Sequence, residues 1–250
     1  MINKIFNEDC LEGMKRIPDE SVDMILCDLP YGTTQNKWDS VIPFANLWVQ
    51  YSRIIKADGA IILTASQPFT SALVMSMPSY FKYSLVWHKT SPTGHLNAKK
   101  MPLRAHEDIL VFYKNLPTYN PIKTTGHPRK VSTAAHKKNC IKTTNYGNFG
   151  LSSYDSTERY PTSVITFKSD KQKSSLHPTQ KPVALFEYLI NTYTNPGEVV
   201  LDNCMGSGTT AIACINTGRK YIGFEMDRTY FDAAQKRISD KLAEIKGDIK

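Results

Sequence analysis

Short, uninterrupted apolar runs alternate with helix-patterned segments along most of this chain, and that alternation is the strongest constraint on its fold. Residues 22–27 form an apolar run that stops at Asp28-Leu29-Pro30-Tyr31. The spacing of Phe44, Leu47, Trp48, Tyr51, Ile54 and Ile55 predicts a helix over 43–55, ended by Ala57-Asp58-Gly59 ahead of a strand at 60–63. A helix over 68–77 and strands over 83–88 and 109–113 follow. Farther on, helices at 183–192, 209–216 and 230–245 interleave with strands at 199–201 and 221–224. Continuous rather than alternating apolar strands are buried on both faces, so the pattern predicts an α/β fold with a mostly parallel sheet covered by helices on both sides. Ligands then belong at the carboxyl ends of the strands.

Charge divides the chain differently. Of its 250 residues, 31 are Lys or Arg and 23 are Asp or Glu, a formal net charge of +8 that calls for an anionic partner. Residues 115–175 carry ten basic residues (Lys123, Arg129, Lys130, Lys137, Lys138, Lys142, Arg159, Lys168, Lys171, Lys173) against three acidic ones, so the remainder is nearly neutral. This stretch is rich in Thr, Ser, Asn, Gly and Tyr with weak apolar periodicity, and reads as a loop-rich insertion with a nucleic-acid-binding surface. The three expected segments are thus 1–114, the insertion at 115–175, and 176–250. The five cysteines (Cys10, Cys27, Cys140, Cys204, Cys214) are odd in number and widely spaced, as free thiols in a reducing compartment would be. The histidines add no zinc-like spacing, so no metal is expected. No apolar run is long enough to cross a bilayer, and Glu8-Asp9 falls where a signal peptide would be apolar, which points to the cytoplasm and away from membranes.

Two strand ends carry chemistry. After the strand at 199–201, Asp202-Asn203-Cys204-Met205-Gly206-Ser207-Gly208-Thr209 forms a glycine turn into a helix, and Ala211 completes G-x-G-x-x-(G/A). Glu225, nineteen residues beyond Gly206 at the end of the next strand, stands where a ribose-binding acid is expected. Asp202 would oppose a dinucleotide pyrophosphate but suits the ammonium of an amino-acid moiety. S-adenosylmethionine satisfies both. At the other strand end, Asp28 offers a carboxylate, Leu29 a carbonyl held outward by the extended backbone before Pro30, and Tyr31 a ring. One carboxylate, one carbonyl and one aromatic face suit a planar base bearing an exocyclic amine.

Together these residues resemble the amino-methylating DNA methyltransferases that modify adenine N6 or cytosine N4. Asp28 to Tyr31 is similar to the family's D-P-P-Y motif, Asp202 to Gly208 to its D-x-x-x-G-S-G cofactor loop, and His177 to Pro182 to its H-P-T-x-K-P segment. Asn7 to Leu11 is similar to its G-D-C segment. The order of these motifs, with the basic insertion between the catalytic motif and the cofactor loop, is that of the family's beta group. The resemblance implies a Rossmann-like methyltransferase fold with circularly permuted motif order and a loop-rich target-recognition insertion. It also implies that the strand at residues 4–7 pairs beside 221–224 although they lie at opposite ends of the chain.

By resemblance, the catalytic set is Asp28, Leu29, Pro30 and Tyr31, with leucine replacing the family's usual first proline. The cofactor set is Asp9, Cys10, His177, Thr179, Lys181, Asp202, Cys204, Gly206, Ser207, Gly208, Thr209 and Glu225, with Lys181 and Thr179 at the methionine carboxylate. Lys89, Arg104, Lys123, Arg129, Lys130, Lys137, Lys138 and Lys142 are the candidate contacts to double-stranded DNA. Asp9 could alternatively cap a turn, and Glu107 could be a buried, paired carboxylate. The implied activity is methyl transfer from S-adenosylmethionine to N6 of a flipped-out adenine. Cytosine N4 as the target, a nicotinamide-dependent oxidoreductase, and a non-catalytic DNA-binding relic are the alternatives. A homodimer and a companion restriction endonuclease stay open.

Overall fold

The computed structural model describes residues 1–32, 39–134, 153–169 and 180–247. The chain forms two compact units, Met1–Asn120 with Ser163–Lys250, and Pro121–Thr162.

The large unit is built on eight strands: β1 (Lys4–Phe6), β2 (Val22–Cys27), β3 (Ile55–Ala65), β4 (Phe81–Thr93), β5 (Arg104–Phe112), β8 (Val164–Phe167), β9 (Val199–Asp202) and β10 (Lys220–Phe224). They are ordered β1-β10-β9-β2-β3-β5-β4-β8. Every pairing is parallel except the two made by β5. The register Lys4↔Ile222 confirms that the first strand pairs beside the last. Among the described residues six helices flank the sheet: α1 (Cys10–Met14), α2 (Phe44–Ile54), α3 (Phe69–Ser76), α4 (Val183–Tyr193), α5 (Thr209–Thr217) and α6 (Arg228–Gly247).

Alternation along the central strand explains the two helical layers. Ile25 and Cys27 of β2 pack with Met14, Leu47 and Leu73 from α1, α2 and α3, whereas Met24 and Leu26 pack with Leu189, Ala213 and Ile238 from α4, α5 and α6. Both faces of β2 are therefore dry, which is why its sequence shows no polar alternation. Among the described residues no helix is long and apolar enough to cross a membrane.

Two expected boundaries moved. The helix over 43–55 ends at Ile54 because Ile55 is already extended (φ −72°, ψ 137°), and Ala57-Asp58-Gly59 lie inside β3. There the register passes from Val22↔Ile55 to Met24↔Ala60, so the extra residues of β3 bulge out against β2. The strand expected at 83–88 is the middle of the longer β4, and the one expected at 109–113 covers the carboxyl-terminal part of β5, which begins at Arg104 and ends at Phe112. Their outer residues are half-exposed and more polar, so hydrophobicity alone shortens them.

The small unit holds β6 (Lys130–Ser132) paired antiparallel with β7 (Tyr154–Ser156), plus a bridge between Thr124 and Arg159. The Arg159 guanidinium donates to the Pro128 carbonyl at 2.5 Å. Of the expected insertion, residues 115–120 and 163–169 belong instead to the large unit, the latter because β8 pairs with β4.

Gly13 in α1 shows how closely the first layer is packed. A Cβ there would sit 2.2 Å from the ring of Phe224, which is fully buried and stacked on Phe6. Gly13→Ala should cost roughly 1–3 kcal/mol of stability through overpacking, read as a lower urea midpoint with an unchanged denaturant slope.

Candidate active site

Parallel strands deliver their carboxyl ends to one edge of the sheet, and a cavity of about 760 Å³ opens there. Its wall includes Asp28 after β2, Ser66 and Gln67 after β3, Trp87 and Lys89 late in β4, Asp202 at the end of β9, and Glu225 after β10. β5 runs the other way, so its beginning, with Arg104, His106 and Glu107, reaches the same edge.

At one end of the cavity lies a buried network of four charges. Lys181, immediately before α4, donates to Asp28 Oδ2 at 2.7 Å and lies 3.2 Å from Glu107 Oε2. Glu107 Oε1 also meets Lys89 Nζ at 2.5 Å. The side chains of Lys89 and Lys181 are only 9% and 6% exposed, so each ammonium needs these carboxylates. Burial pushes the Glu107 carboxyl up, but the Lys181 and Lys89 ammoniums outweigh it and hold the group below its ordinary value. Burial likewise pushes Lys181 down, and Asp28 and Glu107 more than restore it.

The remaining oxygen of Asp28 is fixed from the other side. Oδ1 accepts hydrogen bonds from the Tyr31 hydroxyl at 2.8 Å and from the Thr64 hydroxyl of β3. Burial, reinforced by the Asp28 and Glu107 carboxylates, raises the Tyr31 phenol well above its ordinary value, so it serves as a neutral donor. The Tyr31 ring stacks on Phe69, with centroids 5.1 Å apart, and the Lys181 ammonium lies 5.6 Å from its centroid. Leu29 is buried and, with Pro30, lines the cavity.

At the other end, Gly206 and Gly208 take φ of +52° and +84°, a left-handed conformation that favours glycine. Among the described residues nothing beyond its chain neighbours lies within 4 Å of where a Cβ on Gly206 would be, whereas Gly208 is held close to Ala234 of α6. Glu225 grips the turn: its Oε2 accepts from the Gly206 amide and its Oε1 from the Asp227 amide, both at 2.8 Å. Asp202 is buried, accepting from the Cys204 amide at 3.0 Å and from the Thr210 hydroxyl. Burial pushes its carboxyl up to about 6 despite those bonds. Cys10, Cys204, Ser207 and Thr209 line the same cavity. Asn203 donates to the sulfurs of Cys10 and Cys204, at 3.6 and 3.5 Å, while accepting from the buried Tyr51 hydroxyl.

Several residues sit differently from expectation. Asp9 lines the cavity but also caps α1, accepting from the Leu11 amide at 2.7 Å and the Glu12 amide at 3.3 Å. Lys181, expected beside a cofactor carboxylate, is engaged by Asp28 and Glu107. Lys89, expected at DNA, is instead enclosed in the cavity wall, its charge taken up by Glu107 and its ammonium 5.4 Å from the Trp87 ring centroid. Arg104 is exposed at the cavity rim. In the small unit Lys123 pairs with Glu158 at 2.9 Å, Arg129 pairs with Asp155 at 2.6 Å, and Lys130 is exposed on β6. His177, Thr179, Lys137, Lys138 and Lys142 lie outside the described residues. Thr64 was not anticipated; a lone hydroxyl in the apolar run of β3 was its only signal. Glu107 is ion-paired with Lys89 and Lys181, though among the described residues its buried Oε2 accepts no hydrogen bond.

The sequence profile of the DNA methylase family matches residues 22–236. The chain is 25% identical over 257 residues to the type II methyltransferase M.HpaI of Haemophilus parainfluenzae, covering 97% of this chain and 76% of that protein. It is 28% identical over 270 residues to the type II methyltransferase M.HinfI of Haemophilus influenzae, covering 96% and 69%. The crystal structure of the M1.HpyAVI–SAM complex superposes with a TM-score of 0.62 and 26% identity, covering 94% of this chain and 98% of that one.

Asp202 gives the cavity a pH signature. A carboxyl that holds its proton to about 6 when folded, and to its ordinary 3.8 when unfolded, favours folding below 3.8 and loses that contribution as pH rises through 6. In ligand-free protein the penalty relative to Asp202→Asn should be on the order of 1 kcal/mol larger at pH 7.5 than at pH 5. Denaturant unfolding of both proteins at the two pH values measures it.

Proposed function

The chain belongs to the DNA methylase family, whose members methylate exocyclic amines of DNA bases, and on that premise we propose that it transfers a methyl group from S-adenosylmethionine to N6 of adenine at a specific site in double-stranded DNA. The observation that carries the reading is the placement of Asp28 and the Gly206 turn on one cavity, with a buried, elevated carboxyl at Asp202 between them. S-adenosylmethionine supplies a sulfonium-activated methyl group when bound. The residues fit it. Gly206 leaves open space beside its backbone, Glu225 stands at the end of β10 to meet ribose hydroxyls, and Asp202 is a buried carboxylate that a cationic amino group would relieve.

Asp28 and the Leu29 carbonyl would accept the two hydrogens of the target amine. Acceptors aimed at the tetrahedral nitrogen favour the transition state over the planar ground state, in which the lone pair is delocalised into the ring. Tyr31 and Thr64 fix Asp28 Oδ1, leaving Oδ2, now held by Lys181, as the oxygen that an incoming amine would address. Oδ2 is then also the nearest base for the proton the nitrogen must lose. Lys181 is thereby a positioning residue: it holds the carboxylate ready and yields hydrogen bonds to the base. Asp at position 28 favours adenine, since cytosine-N4 members more often carry Ser there; the substitution of leucine for the usual proline at 29 retains the carbonyl. The basic stretch at 115–175 serves as the target-recognition region.

Expression in a methylation-free host followed by sequencing for modified bases tests the base and the site together. N6-methyladenine in one sequence context is expected; N4-methylcytosine would overturn the adenine assignment, and an unmodified genome the activity. Asp28→Ala should lower transfer by about 10²–10³-fold or more while retaining the melting-temperature rise with S-adenosylmethionine; full activity would remove Asp28 from the mechanism. Replacing Lys137 and Lys138 together by Ala should reduce the slope of log affinity for DNA against log salt by about 2. An unchanged slope would place the phosphate contacts elsewhere.

A further inference from the structure

The segment between β4 and β5 rises from the cavity rim. Ser91 and Thr93 before it, and Arg104 and His106 after it, all line the cavity. At its crest, in the 3₁₀ turn His95–Asn97, Leu96 is fully exposed. A single exposed leucine is ordinary on a protein surface. This one differs in three respects.

First, the turn that presents it is ordered by its own backbone. Gly94, at φ +96°, starts the turn, and amides of Asn97 (to Gly94 O, 2.9 Å), Ala98 (to His95 O, 3.1 Å), Lys100 (to Asn97 O, 2.8 Å) and Met101 (to Asn97 O, 3.0 Å) close it. Leu96 is therefore held out rather than left on a loose loop. Second, its surroundings suit a polyanion: residues 94–106 contain Lys99, Lys100 and Arg104 and no acid. Among the described residues no carboxylate pairs with these three, unlike Lys89 a few residues earlier. Third, the cavity beneath is where a target base would be received, so the crest stands next to the place such a base would leave.

A base drawn out of a duplex leaves an unstacked gap, and apolar side chains inserted between base steps are a recurrent way of holding such a distortion. We propose that Leu96 is an intercalating wedge: it enters the DNA stack beside the target base, with Lys99, Lys100 and Arg104 on the adjacent phosphates, and stabilises the extruded state. The occupant of this apolar crest is thus duplex DNA. The inference rests on the DNA methyltransferase reading above and adds to it a residue that acts on the duplex, apart from the cofactor and the reacting atoms.

The test uses full-length protein and synthetic duplexes carrying the site found by methylation mapping. One has an intact pair at the target base; the other has an abasic position opposite it, which removes most of the work of extrusion. Leu96→Ala should lower kcat/KM at least tenfold on the intact duplex and less than threefold on the abasic one. Leu96→Phe should retain activity on both, and the melting-temperature rise with S-adenosylmethionine should be the same in all three proteins. Equal losses on the two duplexes, or no loss on either, would overturn the wedge while leaving the activity standing. So would unchanged transfer accompanied by conversion of a dimer to a monomer in Leu96→Ala, since the crest would then be covered by a second copy of the chain. Wild-type protein that methylates no DNA overturns the underlying reading, and the wedge with it, before any variant is compared.

Discussion

The buried arrangement of Lys89, Glu107, Lys181 and Asp28 is the interaction around which the proposed catalytic end of the cavity is organised. Two ammoniums and two carboxylates are taken largely out of water, and each is tolerable only because the others stand within ion-pairing distance. The partners come from β4, β5, the approach to α4, and the end of β2. Satisfying their charges therefore aligns four separate stretches of chain. Tyr31 and Thr64 complete the arrangement by occupying the other oxygen of Asp28, so that the carboxylate cannot rotate freely between partners. Replacing one member would leave a buried charge without its counterpart, which is far costlier than losing an exposed ion pair.

The end proposed for the cofactor is organised on the opposite principle. Asp202 is buried and Glu225 half-buried, their partners are backbone amides and a hydroxyl rather than cations, and desolvation raises both carboxyls. Neutral donors keep them placed without cancelling their charge, which remains available to a cationic or hydroxyl-bearing ligand. One end of the cavity is thus internally neutralised and the other electrostatically unfinished. Under the proposed function, that difference suits the unfinished end to a cofactor and the neutralised end to an uncharged base.

Motif order has a geometric consequence. The catalytic motif precedes the cofactor loop by more than 170 residues, yet β2 and β9 are neighbours in the sheet, with Ile25 opposite Leu201. The chain leaves this seam in one direction through β3, β5 and β4 and returns to it through β9 and β10, with β1 closing the far edge. The cavity spans the seam, where connections depart to opposite sides and the strand ends are left uncovered. The long basic stretch leaves the frame after β5 and rejoins it through β8 at the opposite edge, so it can be inserted without interrupting the seam.

Much of this was legible in the residues themselves. Continuous apolar runs announced strands buried on both faces, helical spacing located α2 and α4 to within a residue or two, and the glycine turn with its following acid marked the sheet edge on which the cavity opens. The local chemistry of Asp28-Leu29-Pro30-Tyr31 was likewise visible, because it depends on neighbours in sequence. The pairing of Lys181 with Asp28, 153 residues apart, and of both with Glu107, was not. Nor was the burial of Lys89, which by sequence alone resembles any lysine at a strand end. The reversal of β5 decided the part of Glu107: an antiparallel strand brings its first residues, not its last, to the edge where the parallel strands end. Hydrophobic period identifies a strand and its buried faces but is the same read in either direction, so only the tertiary structure could determine which charges meet.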